Sequence, residues 1–568
     1  MKGVRMRCFG IAIVTIGFAL TVGASADRPL HYAVLVNDTT RTAEGWSQVV
    51  DSLVARYDAQ VFTYQGWEVG EVREAMAAYH PTHVCLVGHP RDVPGWIVER
   101  TNQVVRELDD DPYGDAILGV VTGLTAEHAL KLATGPESMV VTGALLKTAA
   151  GWLDWVHEGR YYSETVYHSM WIKYPDGTVD TTMDGPTDCT DSLVSHLNEG
   201  WVDLMVTSGH ASQKDWQLHY PDPDSEGFFR AENGRLYGDP FQGDTLWIDS
   251  PNDKIYWAPG NCLIGQIPWG YEDCMVIGWL ASGSARQYSG YTRVTWYGYM
   301  GWGISEYLLH LQGQWSYAEA VYLNNQALLY DLIRGTPGTD SAGLEYDKDY
   351  YAFYGDPAFD ARLEPCRLPL YDQELVVIPG EAGGDTFRFT ITMNEEGRPW
   401  HGGGRPCFVF LPYRIVDPTI VWTDAHEVVI TDDFVLMDIW EEGDPSLGEG
   451  EQRTVEFIAS AAGLAEVPDG GGAPADVDMR IFPNPFRNTT TVTFRSPVGS
   501  GQWVLLSVYD AAGRRVRRLE DGKGAGAVQV VVWKGDDDRG EMVAGGVYFL
   551  RMEVEGQDPA CRKVVLVR

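Results

Sequence analysis

A chain of 568 residues with 44% hydrophobic and 12% aromatic residues holds more than one core, because single cores stop growing at roughly 250–300 residues. Its 63 Gly and 30 Pro point to many turns and a substantial β content. A formal charge of −37 argues against nucleic acid and an anionic membrane surface as partners, since both are held by Lys and Arg, and it fits an exported or salt-adapted protein kept soluble by its acidity.

Lys2, Arg5 and Arg7 precede an apolar stretch, Cys8 to Gly23, that ends in Ala24-Ser25-Ala26. This is the pattern of a signal peptide over residues 1–26. No later stretch is apolar for long enough to cross a bilayer, so no integral membrane segment is expected once the signal is removed. Loss of Cys8 leaves seven cysteines, Cys85, Cys189, Cys262, Cys274, Cys366, Cys407 and Cys561. An odd number in an exported protein leaves a thiol unpaired, and no pair has the C-x-x-C spacing of a zinc or redox motif.

From Leu30 the chain alternates strand and helix. His31 to Val36 and Gln60 to Tyr64 read as strands around a helical stretch, Ala43 to Tyr57. A helix from Val69 to Tyr79 leads into the strand Thr82 to Val87. Such alternation predicts a parallel sheet covered on both faces. Asp109, Asp110, Asp111 and Asp115 then crowd one loop before the strand Ala116 to Val121. That loop is either a site for calcium as a structural ion or a solvated turn.

Met139 to Leu146 reads as a strand or the start of a helix. Past it, Leu193, Val194 and Leu197 make one face of a helix stopped by Gly200. The buried strand Val202 to Thr207 runs directly into Ser208-Gly209-His210-Ala211. After a polar and aromatic excursion, Gln213 to Asn252, a second apolar run, Lys254 to Ala258, ends at Pro259-Gly260-Asn261-Cys262. In open α/β sheets chemistry collects beyond the carboxyl ends of strands, which is where both His210 and Cys262 fall. Met275 to Ala281 and Ser284 to Tyr291 look like further sheet elements, and Ile304 to Leu311 and Tyr317 to Ile333 like covering helices.

A thiol at a strand end becomes a useful nucleophile when a nearby base draws it toward thiolate, and a histidine on the neighbouring strand end can do so. Amide N–H groups of the same tight turns can stabilise an oxyanion. A lone cysteine in an apolar run is ordinarily structural, and Cys85, inside Val84-Cys85-Leu86-Val87, fits that reading. Cys262 does not, because it follows Gly260-Asn261, where the strand has already ended.

The helix, the buried strand closed by Gly209-His210, and the next strand closed by Cys262-Leu263-Ile264-Gly265 resemble the gingipain-type cysteine peptidases of the caspase-like superfamily. Val84 to Gly88 with Asp92-Val93-Pro94, Asp110 to Gly119, and Tyr354-Gly355-Asp356-Pro357 are similar to further landmarks of that family. The resemblance implies a caspase-like α/β domain, His210 as base, Cys262 as nucleophile forming an acyl-enzyme thioester, oxyanion donors at the Ala211 and Cys262 amides, and no cofactor for the chemistry. Protein or peptide substrates follow. In some relatives a carboxylate partners this histidine; Asp154, Glu158 and Glu164 lie in a plausible region for it, none marked by a motif, and Asp215 or Glu272 are candidates for an acidic pocket.

Two departures stand out. The family usually carries Gly directly after the catalytic His, where this chain has Ala211, which would strain the turn if that residue were left-handed. The Gly-Arg that often follows the acidic segment is also missing.

Beyond Pro365 short alternating strands predict an Ig-like β-sandwich over 366–462, then a Gly- and Pro-rich linker over 463–477. Residues 478–568, with Phe482 to Phe486, Val508 to Arg514, Trp533 to Asp538 and Gly546 to Phe549, resemble the sorting and Ig-like modules of type IX secretion cargo and the flagellar-hook-capping-like Ig domain. That resemblance implies engagement of secretion machinery and a secreted or cell-surface location. The whole is read as a multidomain chain: an N-terminal α/β subdomain (27–124), a catalytic caspase-like subdomain with a mostly parallel sheet (125–363), and two all-β Ig-like modules. A surface protein that keeps this fold without activity, serving binding or adhesion, is the alternative.

Overall fold

The computed structural model describes residues 20–22, 30–182, 184–335, 340–378, 380, 384–398, 405–462, 479–482, 486, 490–495, 503–510, 514–523, 528–554 and 560–566. The expected linker and all of the expected signal peptide but Leu20–Val22 lie outside them.

The centre of the molecule is one twelve-stranded sheet. Glu158–Ser163, Gly143–Thr148, Leu204–Thr207, Lys254–Trp257 and Ala285–Tyr291 form a parallel block. Tyr351–Tyr354 is antiparallel to Ala285–Tyr291 and parallel to the remaining block of Ile117–Val121, His83–Val87, Tyr32–Asn37 and Gln60–Tyr64. The expected parallel sheet is therefore two parallel blocks that run in opposite senses, with short antiparallel strands Met170–Lys173 and Val179–Thr182 on one edge. Leu204–Thr207 and Lys254–Trp257 are buried at every position, as central strands covered on both faces are. Full burial of a Val, Leu or Ile side chain contributes about 1.5–3 kcal/mol.

The block that contains Tyr351–Tyr354 is fastened at the closing Gly-Asp-Pro. Asp356 is buried, and its carboxylate accepts the Tyr32 hydroxyl at 2.8 Å and the Tyr57 hydroxyl at 2.6 Å. Gly355 has φ 132° and its carbonyl sits against Gly119, where an added Cβ would meet it at 2.5 Å. Both glycines are required there by conformation and by close approach.

Covering helices follow the sequence where a polar face survives. Tyr317–Arg334 opens with a capping box between Ser316 and Glu319 and closes at Gly335, φ 62°. Met275–Ala281 differs from expectation: it is a helix, not a strand. Met275 through Leu280 are all buried, so the run carries no polar face from which a 3.6-residue period could be read. The excursion after His210 also has structure, a four-stranded antiparallel sheet of Asp215–Gln217, Phe228–Glu232, Arg235–Asp239 and Leu246–Ile248.

Residues 371–461 form separate sheets. One pairs Leu20–Val22, Tyr371–Ile378, Asp385–Met393, Gln452–Ala461 and Ile415–Thr423; the other pairs Cys407–Phe410, Phe434–Asp438 and Glu427–Ile430. This module shares a core with the α/β part: Trp315 meets Phe410 at 5.8 Å, and Tyr113 meets Phe434 at 5.7 Å between ring centroids. The C-terminal segments form two antiparallel sheets around a core of their own that includes Trp533.

Candidate functional site

Leu204–Thr207 and Lys254–Trp257 are neighbours in parallel register, Val206 opposite Trp257. Parallel neighbours end on the same edge of a sheet, so the loops carrying His210 and Cys262 leave side by side. Asn261 joins them: its side chain is fully buried, Nδ2 donates to the Gly209 carbonyl at 3.1 Å, and Oδ1 accepts the Thr207 hydroxyl at 3.0 Å.

Gly209 takes the left-handed conformation of this turn, φ 92°. Ala211 is not among the described residues with positive φ, so the strain anticipated for alanine after the histidine does not arise. Ala211 pairs with Trp216 in an antiparallel bridge whose hydrogen bonds run from Gln217 N to His210 O and from Ser212 N to Asp215 O, each at 2.9 Å. That pattern leaves the Ala211 N–H outside the bridge. Among the described residues neither the Ala211 amide nor the Cys262 amide donates a hydrogen bond.

The His210 imidazole is exposed and lies against Tyr220, ring centroids 4.9 Å apart. The Cys262 thiol is half-buried and donates to the Thr295 carbonyl at 3.4 Å. Among the described residues no hydrogen bond joins the thiol to the imidazole. Thr295 is followed by Trp296, 86% exposed. The other buried thiols differ in kind: desolvation holds Cys85, Cys189, Cys274 and Cys407 above the usual thiol range, which makes them poor nucleophiles. All seven are free cysteines.

Of the three carboxylates considered for His210, Glu164 alone approaches its loop. Glu158 opens its strand at the opposite end, and Asp154 lies in a short helix whose carbonyl accepts Lys173 Nζ at 3.2 Å. Glu164 follows the end of Glu158–Ser163, is buried, and accepts the Ser208 hydroxyl. A Cβ added at Gly209 would meet its Oε2 at 3.5 Å. Burial raises the Glu164 carboxyl, offset by the Ser208 bond and by Lys147. Lys147 is itself buried and ion-paired to Glu226 at 2.9 Å. No motif marks Glu164 or Asn261 in the sequence; the one available signal for Asn261 was a polar residue placed between a buried strand and the thiol.

Asp215 is engaged with Ser212 at 2.9 Å and Arg230 at 3.4 Å, and Glu272 lies by Tyr271 and His89. The carboxylates of Asp109, Asp111 and Asp115 are engaged with the acidic loop's own backbone. Asp109 accepts the Asp111 amide at 2.8 Å, Asp111 the Tyr113 amide at 2.8 Å and Asp115 the Leu108 amide at 3.2 Å. Asp110 is exposed, and burial pushes Asp111 up to about 6 and Asp115 up to about 9, toward the neutral acid. Among the described residues no group of three or more His, Cys, Asp or Glu is gathered as a metal site.

No family model matches the chain, and no curated protein matches it. Among solved structures, dimeric latent PorU from Porphyromonas gingivalis is 10% identical at a TM-score of 0.22, covering 94% of this chain and 64% of that one. A polysaccharide lyase is 11% identical at 0.12, covering 36% of each chain. The N-terminal periplasmic domain of ScsB from Proteus mirabilis is 11% identical at 0.12, covering 36% of this chain and 97% of that one. Likenesses this slight carry neither fold nor activity, so the function is argued from the site.

Proposed function

We propose that this chain is a cysteine endopeptidase of the gingipain-like, caspase-like kind, exported and held at the cell surface or released, with its C-terminal module engaging the secretion machinery. The observation that carries the reading is the pair of adjacent parallel strand ends, tied by Asn261 to Gly209 at 3.1 Å, that brings His210 and Cys262 to one edge of the sheet. Free amides at Ala211 and Cys262 support it. Among the described residues no helix is long and apolar enough to cross a membrane.

In this reading the Cys262 thiol leaves Thr295 O by rotation about its side-chain bond and passes its proton to His210. Such contacts often tighten only when substrate arrives. The thiolate adds to the scissile carbonyl, and the Ala211 and Cys262 amides receive the negative oxygen. His210 returns the proton to the leaving amine, the C–N bond breaks and a thioester remains. Water, deprotonated by His210, then hydrolyses the thioester and restores the thiol. Glu164 acts as a positioning residue through Ser208 and Gly209.

The thiol bonded to Thr295 and the imidazole set against Tyr220 favour the second reading, a non-catalytic binding protein. One comparison decides. Wild type is expected to cleave an unfolded protein and to be labelled by a thiol-directed inhibitor, and Cys262→Ala to do neither. Equal cleavage by both removes Cys262 as nucleophile; cleavage by neither leaves the binding protein.

A further inference from the structure

Three tryptophans outside the candidate site meet on the surface. Trp67 is 43% exposed, Trp96 45% and Trp269 70%. The rings of Trp67 and Trp96 are 5.2 Å apart at 83°, and those of Trp67 and Trp269 are 6.1 Å apart at 58°. They come from three places in the chain: the loop after Gln60–Tyr64, the first turn of Gly95–Arg106, and the segment that leaves Cys262. Scattered exposed apolar residues are ordinary, but contiguous ones mark interaction sites, and tryptophan dominates the energetics of such sites.

The surroundings define the occupant. Glu68, next to Trp67 in sequence, is exposed and has no side-chain partner among the described residues, while the exposed Glu71 accepts the Gln65 amide. Two cations near this surface have partners of their own. Arg91 lies over the Tyr271 ring at 5.7 Å, and Arg100 pairs with Glu107 at 3.5 Å. Indoles crossed at 83° and 58° form a notch, not the flat face on which a sugar ring stacks. A notch of indole beside free carboxylate suits a lysine or arginine side chain, whose methylenes cover the ring while the cation meets the π face and the acid.

We propose that Trp67, Trp96 and Trp269, with Glu68, bind an extended basic segment of polypeptide, and that this surface holds substrate chains beside the Cys262 site. The second clause rests on the peptidase reading; the first does not. Trp269 is seven residues from Cys262, which limits their separation to about 25 Å, the span of about seven extended substrate residues. The intervening segment is anchored by Gly265 N donating to Tyr291 O at 2.8 Å. Gly95, next to Trp96, packs on it, since a Cβ there would meet Gln266 Cγ at 3.5 Å.

The test uses the full chain carrying Cys262→Ala, so that binding is read without turnover. The probe is a short peptide of alternating Lys and Leu, followed by tryptophan fluorescence and calorimetry, with a Glu-Leu peptide and a soluble cello-oligosaccharide as controls. The Lys-Leu peptide is expected to bind at least about tenfold more tightly than either control. Trp269→Ser and Glu68→Gln should each weaken it by about tenfold or less, and Trp269→Phe should weaken it less than Trp269→Ser, with thermal melting confirming that each variant is folded. Equal binding of the Glu-Leu peptide, preference for the oligosaccharide, or affinity unchanged in Trp269→Ser overturns the proposal. If Cys262→Ala binds through Trp269 while wild type cleaves nothing, the peptidase reading fails and the surface stands. If wild type cleaves and Trp269→Ser leaves unaltered the ratio of KM for a long basic substrate to that for a tripeptide, the surface fails and the peptidase stands.

Discussion

The Asn261 side chain donates to the Gly209 carbonyl at 3.1 Å, across from the strand end carrying Cys262 to the one carrying His210. The Asn261 residue is fully buried, and its Oδ1 accepts the Thr207 hydroxyl. Asn261→Ala removes both contacts and leaves the Gly209 carbonyl without its partner. A cost of about 1–3 kcal/mol is expected in urea unfolding. Activity should fall further than stability, on the order of a hundredfold in kcat, because misplacing reacting groups by an ångström is that costly. A variant that melts early but turns over normally when folded would show that the tie is structural only.

The two residues flanking His210 are expected to respond oppositely. Gly209 has φ 92° with the Glu164 carboxylate behind it, so Gly209→Ala places a Cβ in left-handed backbone, at about 1–2 kcal/mol. It should also displace the imidazole. Ala211 needs no such freedom, and Ala211→Gly should change thermal stability by less than about 1 kcal/mol. Parallel melting curves and rates for the two variants separate them; a larger loss in Ala211→Gly would contradict the turn geometry.

Much of this site was legible before the fold. Val202 to Thr207 and Lys254 to Ala258 are largely apolar runs followed by small residues, and that pattern belongs to central parallel strands whatever surrounds them. What stayed hidden depends on contacts distant in sequence. Glu164 reaches Ser208 across forty-four positions, with nothing local to mark it off from Asp154 or Glu158. Met275–Ala281 misread as sheet because burial on every side erased its period. The reversal between the two blocks hangs on Tyr351–Tyr354, a four-residue strand whose direction no local pattern encodes.

The acidic loop predicts a dependence of stability on pH. Asp115 is buried beside Asp109 and Asp433, with Arg414 opposing them, and its carboxyl is pushed from its ordinary 3.8 up to about 9. Asp111, and Asp432, which pairs with Arg414, are pushed up to about 6. A folded state that keeps protons the unfolded chain releases loses stability as pH rises. The melting temperature is therefore expected to fall between about pH 4 and pH 9 through these groups. Asp115→Asn should flatten that slope and stabilise the protein at pH 8. An unchanged slope in this variant would mean that Asp115 is ionised in the fold.

The final prediction concerns how the first β module is held. Arg334 ends the helix Tyr317–Arg334 and reaches Glu427 at 3.2 Å, Asp438 at 2.6 Å and Glu441, all on the module. Asp438 is buried and Arg334 is 26% exposed. Arg334→Met keeps the apolar stem but strands the Asp438 charge. Leaving a fully buried partner unpaired costs roughly 3–5 kcal/mol, and solvent at the guanidinium reduces this to about 2–3 kcal/mol. Because the two parts share one aromatic core through Trp315 and Phe410, the module is expected to stay docked and the whole unit to melt earlier in a single transition. Two separated calorimetric transitions in Arg334→Met would show instead that this one cation, and not the shared core, couples the module to the α/β sheet.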